Sequence, residues 1–255
     1  MSTFINNRRL AKLAGVNFDS EIIKPGPIVY SRTHLVTQQF TKLCRFPECI
    51  LITSFSDACC TNEMARRLPD NVRMWFSNNV VTYNPRVTAV PIGIRTSPKG
   101  EELLRKAIDR GRLPERNLVY MNFWRKIPRP RNPRRGLYEM FGETPWITVE
   151  GGFDHVPMEY FYEQISSHPY ILSPAGAGPD CHRHWESIIL GSIPIVLKSS
   201  ATKVLDGLPC LQVNVWSDVT EKRLIEEYPK LLERFKSNNM ERVWFEYWKE
   251  RILST

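Results

Sequence analysis

Residues 173–196 (SPAGAGPDCHRHWESIILGSIPIV) have the types and the spacing of a site for a phosphate group. A turn rich in glycine and proline follows a short apolar run, and its backbone can come close to a phosphate. The turn contains Ser173, Pro174, Gly176 and Gly178. Asp180 is a good N-cap, so the free amides of the helix that follows would face the turn and favour an anion. The segment therefore predicts a site for a nucleotide diphosphate.

The predicted helix after Asp180 has an apolar face and a polar face. Arg183 and Glu186 are three residues apart and share the polar face. The apolar face consists of Trp185, Ile188 and Ile189. An ordinary surface pair of opposite charges is the alternative interpretation, but it leaves the glycines before the helix unexplained. We therefore expect the apolar face to pack and the polar face to bind a ligand.

The run D-C-H-R-x-W-E-x-x-x-x-G-x-I-P-I-V at residues 180–196 resembles the signature of the exostosin-type glycosyltransferases. That resemblance implies a C-terminal lobe of the GT-B architecture that binds a nucleotide sugar. It also implies that Arg183 lies near the donor diphosphate, with a part in catalysis, and that Glu186 accepts a hydrogen bond from the donor ribose. Both roles are chemically reasonable, because guanidinium groups fit phosphate and a carboxylate accepts from paired hydroxyls. Animal exostosins are anchored in membranes, so only their catalytic lobe is matched.

A basic loop precedes this segment in the sequence. Residues 125–135 (RKIPRPRNPRR) carry six basic residues and no acid, in a chain of net charge +8. The loop could hold a donor diphosphate, an acidic glycan or a nucleic-acid backbone, or it could simply be solvated. The apolar run at residues 117–123 predicts a buried strand, and the loop after the first strand of a GT-B donor lobe commonly reaches the diphosphate. We therefore predict Arg135 as a donor ligand, with Arg134 as a close alternative.

The first half of the chain has a fainter resemblance, to the N-terminal lobe of bacterial and viral exostosin-like and fucosyltransferase-like proteins. The matching runs are ILITSFSDACC, MWFSNNV and AVPIGI, in the same order. Asp57 follows the first of these apolar runs, so we expect it at the carboxyl end of a strand, where open α/β sheets place ligands. Asn78, Asn79 and Gly93 would lie at neighbouring strand ends. These residues are predicted to form the acceptor side of the site.

Transfer of a glycosyl group usually needs a base that takes the proton of the acceptor hydroxyl. Asp57 is the candidate for this role, although an Asx turn or a helix cap would explain it equally well. The other candidates are Glu63, His34 and Asp154. The exostosin resemblance favours inversion at the anomeric carbon.

Charge on the leaving diphosphate must be stabilised, and no DxD-type metal motif stands beside residues 180–196. We expect Arg183, Arg135 and the helix N-terminus to supply this stabilisation. No metal or other cofactor is therefore expected. Cys181, His182 and His184 resemble metal ligands in type, but their spacing on one helix gives poor tetrahedral geometry for zinc.

Apolar strand patterns alternate with amphipathic helix patterns along the whole chain, which predicts parallel sheets with helical crossovers. With the resemblance above, the predicted fold is α/β, with two small Rossmann-like lobes that face each other in the GT-B manner. The first lobe would span residues 1–110 and bind the acceptor. Residues 111–240 would bind the nucleotide sugar, and a terminal helix in residues 241–255 would cross back to the first lobe.

Composition excludes several other classes of protein. The chain has 255 residues with ordinary hydrophobic content, and its six cysteines form no CxxC pair, so they are expected as reduced thiols. No apolar run is long enough to span a bilayer, and the first residues lack the core of a signal peptide. We therefore expect a soluble, cytoplasmic protein.

The leading hypothesis is a transferase that moves a sugar from a UDP-sugar, or with second preference from GDP-fucose, to a glycan or glycoprotein hydroxyl. A glycosyltransferase that modifies hydroxylated bases of DNA is the first alternative, with residues 125–135 along the phosphates. A non-catalytic protein that binds carbohydrate or nucleic acid is the second. Concentration of charge in one loop argues against DNA, and the presence of both Arg183 and Glu186 argues against mere binding.

Overall fold

The computed structural model describes residues 2–18, 28–124, 132–152 and 156–255. The chain forms two β-sheets of five strands each, with helices between the strands. All strand pairs in both sheets are parallel. Parallel strands need crossover connections rather than hairpins, and the alternation of strands and helices supplies them.

The first sheet has its strands in chain order. They are β1 (Val16–Asn17), β2 (Ile28–Arg32), β3 (Cys49–Ser54), β4 (Val72–Ser77) and β5 (Val87–Ala89). The central strand β3 is buried at all six positions, as is typical of a strand covered on both faces. Its buried Thr53 hydroxyl accepts a hydrogen bond from Trp75 Nε1 at 2.8 Å and donates one to Ser77 Oγ at 2.8 Å, so the polar group is satisfied.

The second sheet reverses its direction of growth. Its strands are β6 (Val119–Asn122), β7 (Ile147–Glu150), β8 (Tyr170–Leu172), β9 (Ile193–Leu197) and β10 (Leu211–Val213). They lie in the order β10-β9-β8-β6-β7. The chain therefore builds outward from β6 on one side and then returns to its other side with β8. In open α/β sheets, such a reversal opens a crevice at the carboxyl ends of the two strands, where ligands bind.

Nine α-helices lie among the described residues: α1 (Asn7–Lys12), α2 (Val36–Leu43), α3 (Asn62–Arg66), α4 (Pro98–Arg110), α5 (Leu137–Phe141), α6 (Met158–Ser166), α7 (His182–Ile189), α8 (Glu221–Glu233) and α9 (Phe245–Leu253). Thr220 caps α8, since its hydroxyl accepts from the Arg223 amide at 3.3 Å, as the sequence predicted. Gly191 lies directly after the C-cap of α7 and has a φ of +79°. Within the described ranges, no helix combines the length and the apolar character that crossing a membrane requires.

The two ends of the chain lie together against the lobes. Phe4 pairs with Trp244, and Asn6 pairs with Gly93, each in an antiparallel bridge. A Cβ atom at Gly93 would lie 2.0 Å from the carbonyl oxygen of Ile5, so only glycine permits this approach. The last helix, α9, packs its buried face against the core of the first lobe. That cluster includes Ile5, Leu10, Ile28, Ile52, Trp248 and Ile252.

The fold prediction is confirmed: the chain is α/β, with two Rossmann-like lobes built on parallel sheets with helical crossovers. The packing of α4 differs from the predicted lobe limit at residue 110. Leu104 and Ala107 of α4 lie in one cluster with Tyr120, Phe161 and Ile171 of the second lobe. A helix assigned by sequence to the first lobe therefore packs on the second, because its apolar face matches α6.

Candidate functional site

A cleft of about 380 Å³ lies at the reversal of the second sheet. Nine of the described residues line it: Arg95, Asn122, Phe123, Trp124, Arg134, Val156, Met158, Phe161 and Arg183. Three of these nine are arginines, and none of the nine is acidic. The cleft therefore combines a strongly positive wall with aromatic and aliphatic side chains, a combination suited to an anion that also has an apolar part.

Arg183 lies at the bottom of the cleft and is only 9% exposed. Its Nε donates to Ser173 Oγ at 3.0 Å, and its Nη2 donates to the carbonyl of Pro174 at 2.8 Å. Its Nη1 donates to the carbonyl of Asn122 at 3.3 Å. These bonds join the ends of β6 and β8 and leave two of the five guanidinium N–H groups without an acceptor among the described residues. Burial lowers the pKa of Arg183.

Arg134 is the second arginine of the cleft. Its Nε donates to the carbonyl of Ala175 at 3.0 Å, and its Nη1 donates to the carbonyl of Trp124 at 3.1 Å. Burial and the like charge of Arg183 lower its pKa to about 10. Arg135, the predicted donor ligand, is exposed and does not line the cleft. Of the two neighbours, Arg134 is the one the structure brings to Arg183.

Arg95 reaches the cleft from the segment that follows the first sheet. Its guanidinium carbon lies 5.5 Å from the centre of the Phe161 ring, and its Nη1 contacts the sulfur of Met158. Its backbone N–H donates to Glu186 Oε1 at 3.2 Å. No motif in the sequence indicated Arg95, because its position depends on how the two lobes meet.

Glu186 is fully buried, which differs from the expected ligand-facing position. Besides the Arg95 amide on Oε1, its Oε2 lies 3.8 Å from Arg95 Nη1, a distance too long for a hydrogen bond. Glu186 Oε2 and the Tyr162 hydroxyl are both buried, and neither has a partner with good hydrogen-bond geometry among the described residues. Burial, together with the negative charge of Glu186, raises the pKa of Tyr162. The carboxylate therefore lies behind the cleft and has unused acceptor capacity.

Asp180 does not cap α7, because the N-cap residue is Cys181. Its carboxylate instead joins the lobes: Oδ2 accepts from the Ile92 amide at 2.8 Å, while Oδ1 accepts from Trp185 Nε1 at 2.9 Å. A short polar residue before a helix often caps it. Here the Asp180 carboxylate instead accepts hydrogen bonds from the Ile92 amide and from Trp185 Nε1. The prediction that Asp180 caps α7 is therefore wrong, and both of its carboxylate oxygens accept hydrogen bonds from other protein groups.

His184 is buried, and polar groups lie close to both of its ring nitrogens. Its Nδ1 lies 3.2 Å from Asp180 Oδ1, and its Nε2 lies 3.2 Å from the carbonyl of Ser173. The Cys181 amide lies 3.4 Å from the same Nδ1. Burial opposes a charge on this ring, but Cys181 and Asp180 raise the pKa of His184, which favours the protonated form.

The pKa of Cys181 is shifted in the opposite direction, below its ordinary value. Burial alone would raise its pKa, but His184 and Arg183 lower the pKa to about 6. The thiol is half-buried. Among the described residues, no three His, Cys, Asp or Glu side chains are grouped so that they could hold a metal ion.

The glycine-rich turn forms the wall between the lobes. Ser173 and Pro174 provide acceptors for Arg183, and the Gly176 amide donates within the turn to the carbonyl of Gly178 at 3.0 Å. A Cβ atom at Gly178 would lie 2.8 Å from Asn79 Nδ2, so glycine is needed for the approach of the first lobe.

The predicted acceptor-side residues make structural contacts. Asn79 Oδ1 accepts from the Asp180 amide at 2.9 Å, and its Nδ2 donates to the carbonyl of Ser56 at 3.2 Å. Asn78 is buried and donates to Asn7 Oδ1 at 2.9 Å. The carbonyl of Gly93 accepts from His182 Nδ1 at 2.7 Å. These residues therefore hold the carboxyl edges of the two sheets face to face.

The candidate bases that the structure describes do not line the arginine cleft. Asp57 is exposed at the carboxyl end of β3, and His34 shares a hydrogen bond of 3.0 Å with the neighbouring Ser56 hydroxyl. Glu63 is exposed in the first turn of α3. Asp154 and residues 125–131 of the basic loop lie outside the described residues.

No protein-family model matches the chain, and no curated protein matches it. Among solved structures, the chain is similar to sucrose-phosphate synthase from Thermosynechococcus elongatus, at 15% sequence identity and a TM-score of 0.46. The likeness covers 89% of this chain and 71% of that chain.

Proposed function

We propose that this protein is a GT-B-type glycosyltransferase that transfers a sugar from a nucleotide-diphosphate sugar to a hydroxyl of a glycan or glycoprotein. The observation that supports this most is the cleft at the strand reversal, where Arg95, Arg134 and Arg183 meet and no described lining residue is acidic. Like charges held together in a partly buried cleft favour an anion that neutralises them. A diphosphate has the charge and the oxygen geometry that guanidinium groups bind.

In this proposal, Arg183 and Arg134 stabilise the diphosphate as it leaves. The bond between the anomeric carbon and the diphosphate oxygen breaks in the transfer step, so negative charge grows on that oxygen toward the transition state. Arg183 is held by the three hydrogen bonds that it donates to Ser173, Pro174 and Asn122, so it needs no reorganisation. Preorganised donors of this kind stabilise a transition state more than a ground state.

The donor ribose is assigned to Glu186. Its Oε2 has no hydrogen-bond partner among the described residues, and Arg95, which lines the cleft, contacts the carboxylate. A shift of the Arg95 side chain would expose the acceptor to the cleft. On binding, the contact between the Arg95 side chain and Glu186 would be replaced by a hydrogen bond from a ribose hydroxyl to the Glu186 carboxylate.

The acceptor would approach from the first lobe, with inversion at the anomeric carbon. Its hydroxyl oxygen forms the new bond, and Asp57 takes the proton. Asp57 lies at the carboxyl edge of the first sheet, which faces the glycine-rich turn through Asn79. No metal ion is required in this proposal, since arginines and the start of α7 carry the charge stabilisation.

A UDP-sugar is our first choice of donor and GDP-fucose is the second, because residues 180–196 resemble the exostosin-type signature. Thermal unfolding with UDP, GDP, UDP-sugars, GDP-fucose and duplex DNA tests the assignment. A ligand present at 100 times its Kd stabilises the native state by about 2.7 kcal/mol. We expect a nucleotide to raise the Tm of the wild type more than that of Arg134→Ala. If only DNA raised the Tm at physiological salt, the DNA-modifying alternative would replace this proposal.

A further inference from the structure

Phe55 is held in an unusual backbone conformation at the carboxyl end of β3. Its φ is +52°, and Phe55 and Asn79 are the two residues other than glycine with positive φ in the part of the chain that the structure describes. Glycine adopts this conformation without steric cost, whereas a bulky residue there is strained. Such strain persists where the surrounding structure enforces it, and it is concentrated at functional sites.

The Phe55 side chain is also exposed, at 40% of its surface, directly after a strand that is buried at every position. A large apolar ring is more stable when it is buried. The turn at Phe55 therefore keeps an aromatic surface in solvent, and it does so in a strained conformation. Neither property contributes to the stability of the fold.

Polar groups surround this turn. His34 Nδ1 and Ser56 Oγ share a hydrogen bond of 3.0 Å, and Asp57 is exposed two residues after Phe55. The carbonyl of Ser56 accepts from Asn79 Nδ2 at 3.2 Å, and Asn79 in turn contacts Gly178 of the second lobe. Phe55 therefore lies on the edge of the first sheet that faces the glycine-rich turn.

We propose that Phe55 is the platform on which a pyranose ring of the acceptor stacks. One face of many pyranoses presents C–H groups, which pack on an aromatic ring, while the hydroxyls at the rim meet polar side chains. Ser56, Asp57 and His34 supply those polar groups beside Phe55. This inference rests on the proposed function, because it assigns the sugar of the acceptor to the site.

The test measures binding of simple sugars directly. Saturation-transfer NMR is recorded with methyl β-D-glucopyranoside, methyl β-D-galactopyranoside and methyl α-L-fucopyranoside on wild type, Phe55→Gly, Phe55→Tyr and Met140→Ala. We expect at least one glycoside to receive saturation at its ring C–H protons on wild type. Phe55→Gly should bind it roughly fivefold more weakly, as loss of an aromatic contact implies. Phe55→Tyr should retain binding, and Met140→Ala, which removes an exposed side chain elsewhere, should be unchanged.

Phe55→Gly should keep a Tm at least equal to that of the wild type, because glycine relieves the strain. The proposal is overturned if no glycoside binds the wild type, or if Phe55→Gly binds as well as wild type does. Binding of UDP is measured separately on each variant. If the wild type did not bind UDP, that result would contradict the proposed function alone, since the glycoside experiment needs no donor.

Discussion

The Asp180 amide donates to Asn79 Oδ1 at 2.9 Å, which joins the glycine-rich turn of the second lobe to the carboxyl edge of the first sheet. The Asp180 carboxylate extends this contact to Ile92 on the same lobe. Both residues are buried. These two contacts therefore fix the position of the glycine-rich turn beside the arginine cleft relative to the edge that carries Phe55 and Asp57.

Asp180→Ala is expected to destabilise the protein strongly. The substitution leaves the Ile92 amide and Trp185 Nε1 without their acceptor and removes the carboxylate beside His184 Nδ1. Removal of one partner from a buried pair typically costs about 3–5 kcal/mol. Urea unfolding measures the effect, and Asp70→Ala, at an exposed position, is the matched control. Equal midpoints for the two variants would show that the Asp180 contacts contribute no net stability.

Arg134→Ala and Arg135→Ala form a matched pair for the donor site. Arg134 lines the cleft beside Arg183, whereas Arg135 is exposed away from it. Loss of a charged hydrogen bond of roughly 1.5–3 kcal/mol corresponds to a tenfold to hundredfold weaker affinity. Isothermal titration calorimetry with UDP should show this loss for Arg134→Ala and little change for Arg135→Ala. The reverse order would return the role to Arg135.

Glu186→Ala is expected to weaken nucleotide binding and also to lower stability. The carboxylate is buried and accepts from the Arg95 amide, so its removal leaves that donor unsatisfied at a cost of about 1–3 kcal/mol. Glu186→Gln keeps an acceptor for Arg95 and should recover most of the stability. Affinity for UDP is compared with affinity for inorganic pyrophosphate, which has no ribose. If both ligands were weakened equally, Glu186 would not contact the ribose.

Cys181 is expected to react with iodoacetamide at a lower pH than an ordinary thiol. Its pKa is lowered to about 6 by His184 and Arg183 against the effect of burial, so the thiolate is the major form above that pH. The alkylation rate, followed by peptide mass spectrometry, should reach half its maximum near pH 6. Cys210, which is buried and has a raised pKa, should remain unmodified in the same sample. A half-maximal rate near the ordinary thiol pKa would contradict the proposed charge on His184.

Bound nucleotide should slow this alkylation, because Cys181 interacts electrostatically with Arg183 and Arg134, which line the cleft. Cys181→Ser provides the blank for the mass measurement. Unchanged alkylation with saturating UDP would place the nucleotide away from the start of α7.

The amino-acid sequence determined those features that depend on neighbouring residues. Apolar runs such as residues 49–54 predicted buried strands, Thr220 predicted the start of α8, and the motif at residues 180–196 predicted that Arg183 would lie next to the glycine-rich turn. Local patterns suffice in these cases, because periodicity, capping and turn geometry act within a few residues.

The tertiary structure determined which polar groups contact one another and which side chains line the cleft. Aspartate is a residue type that often caps helices, but the Asp180 carboxylate accepts from the Ile92 amide, 88 positions away in the sequence. Arg95 enters the cleft and Glu186 is buried behind it because the lobes meet there, and Arg134 rather than Arg135 faces inward because of the turn into α5. A buried charge must find a partner wherever the fold offers one. That choice depends on distances between segments far apart in the chain, which no local pattern contains.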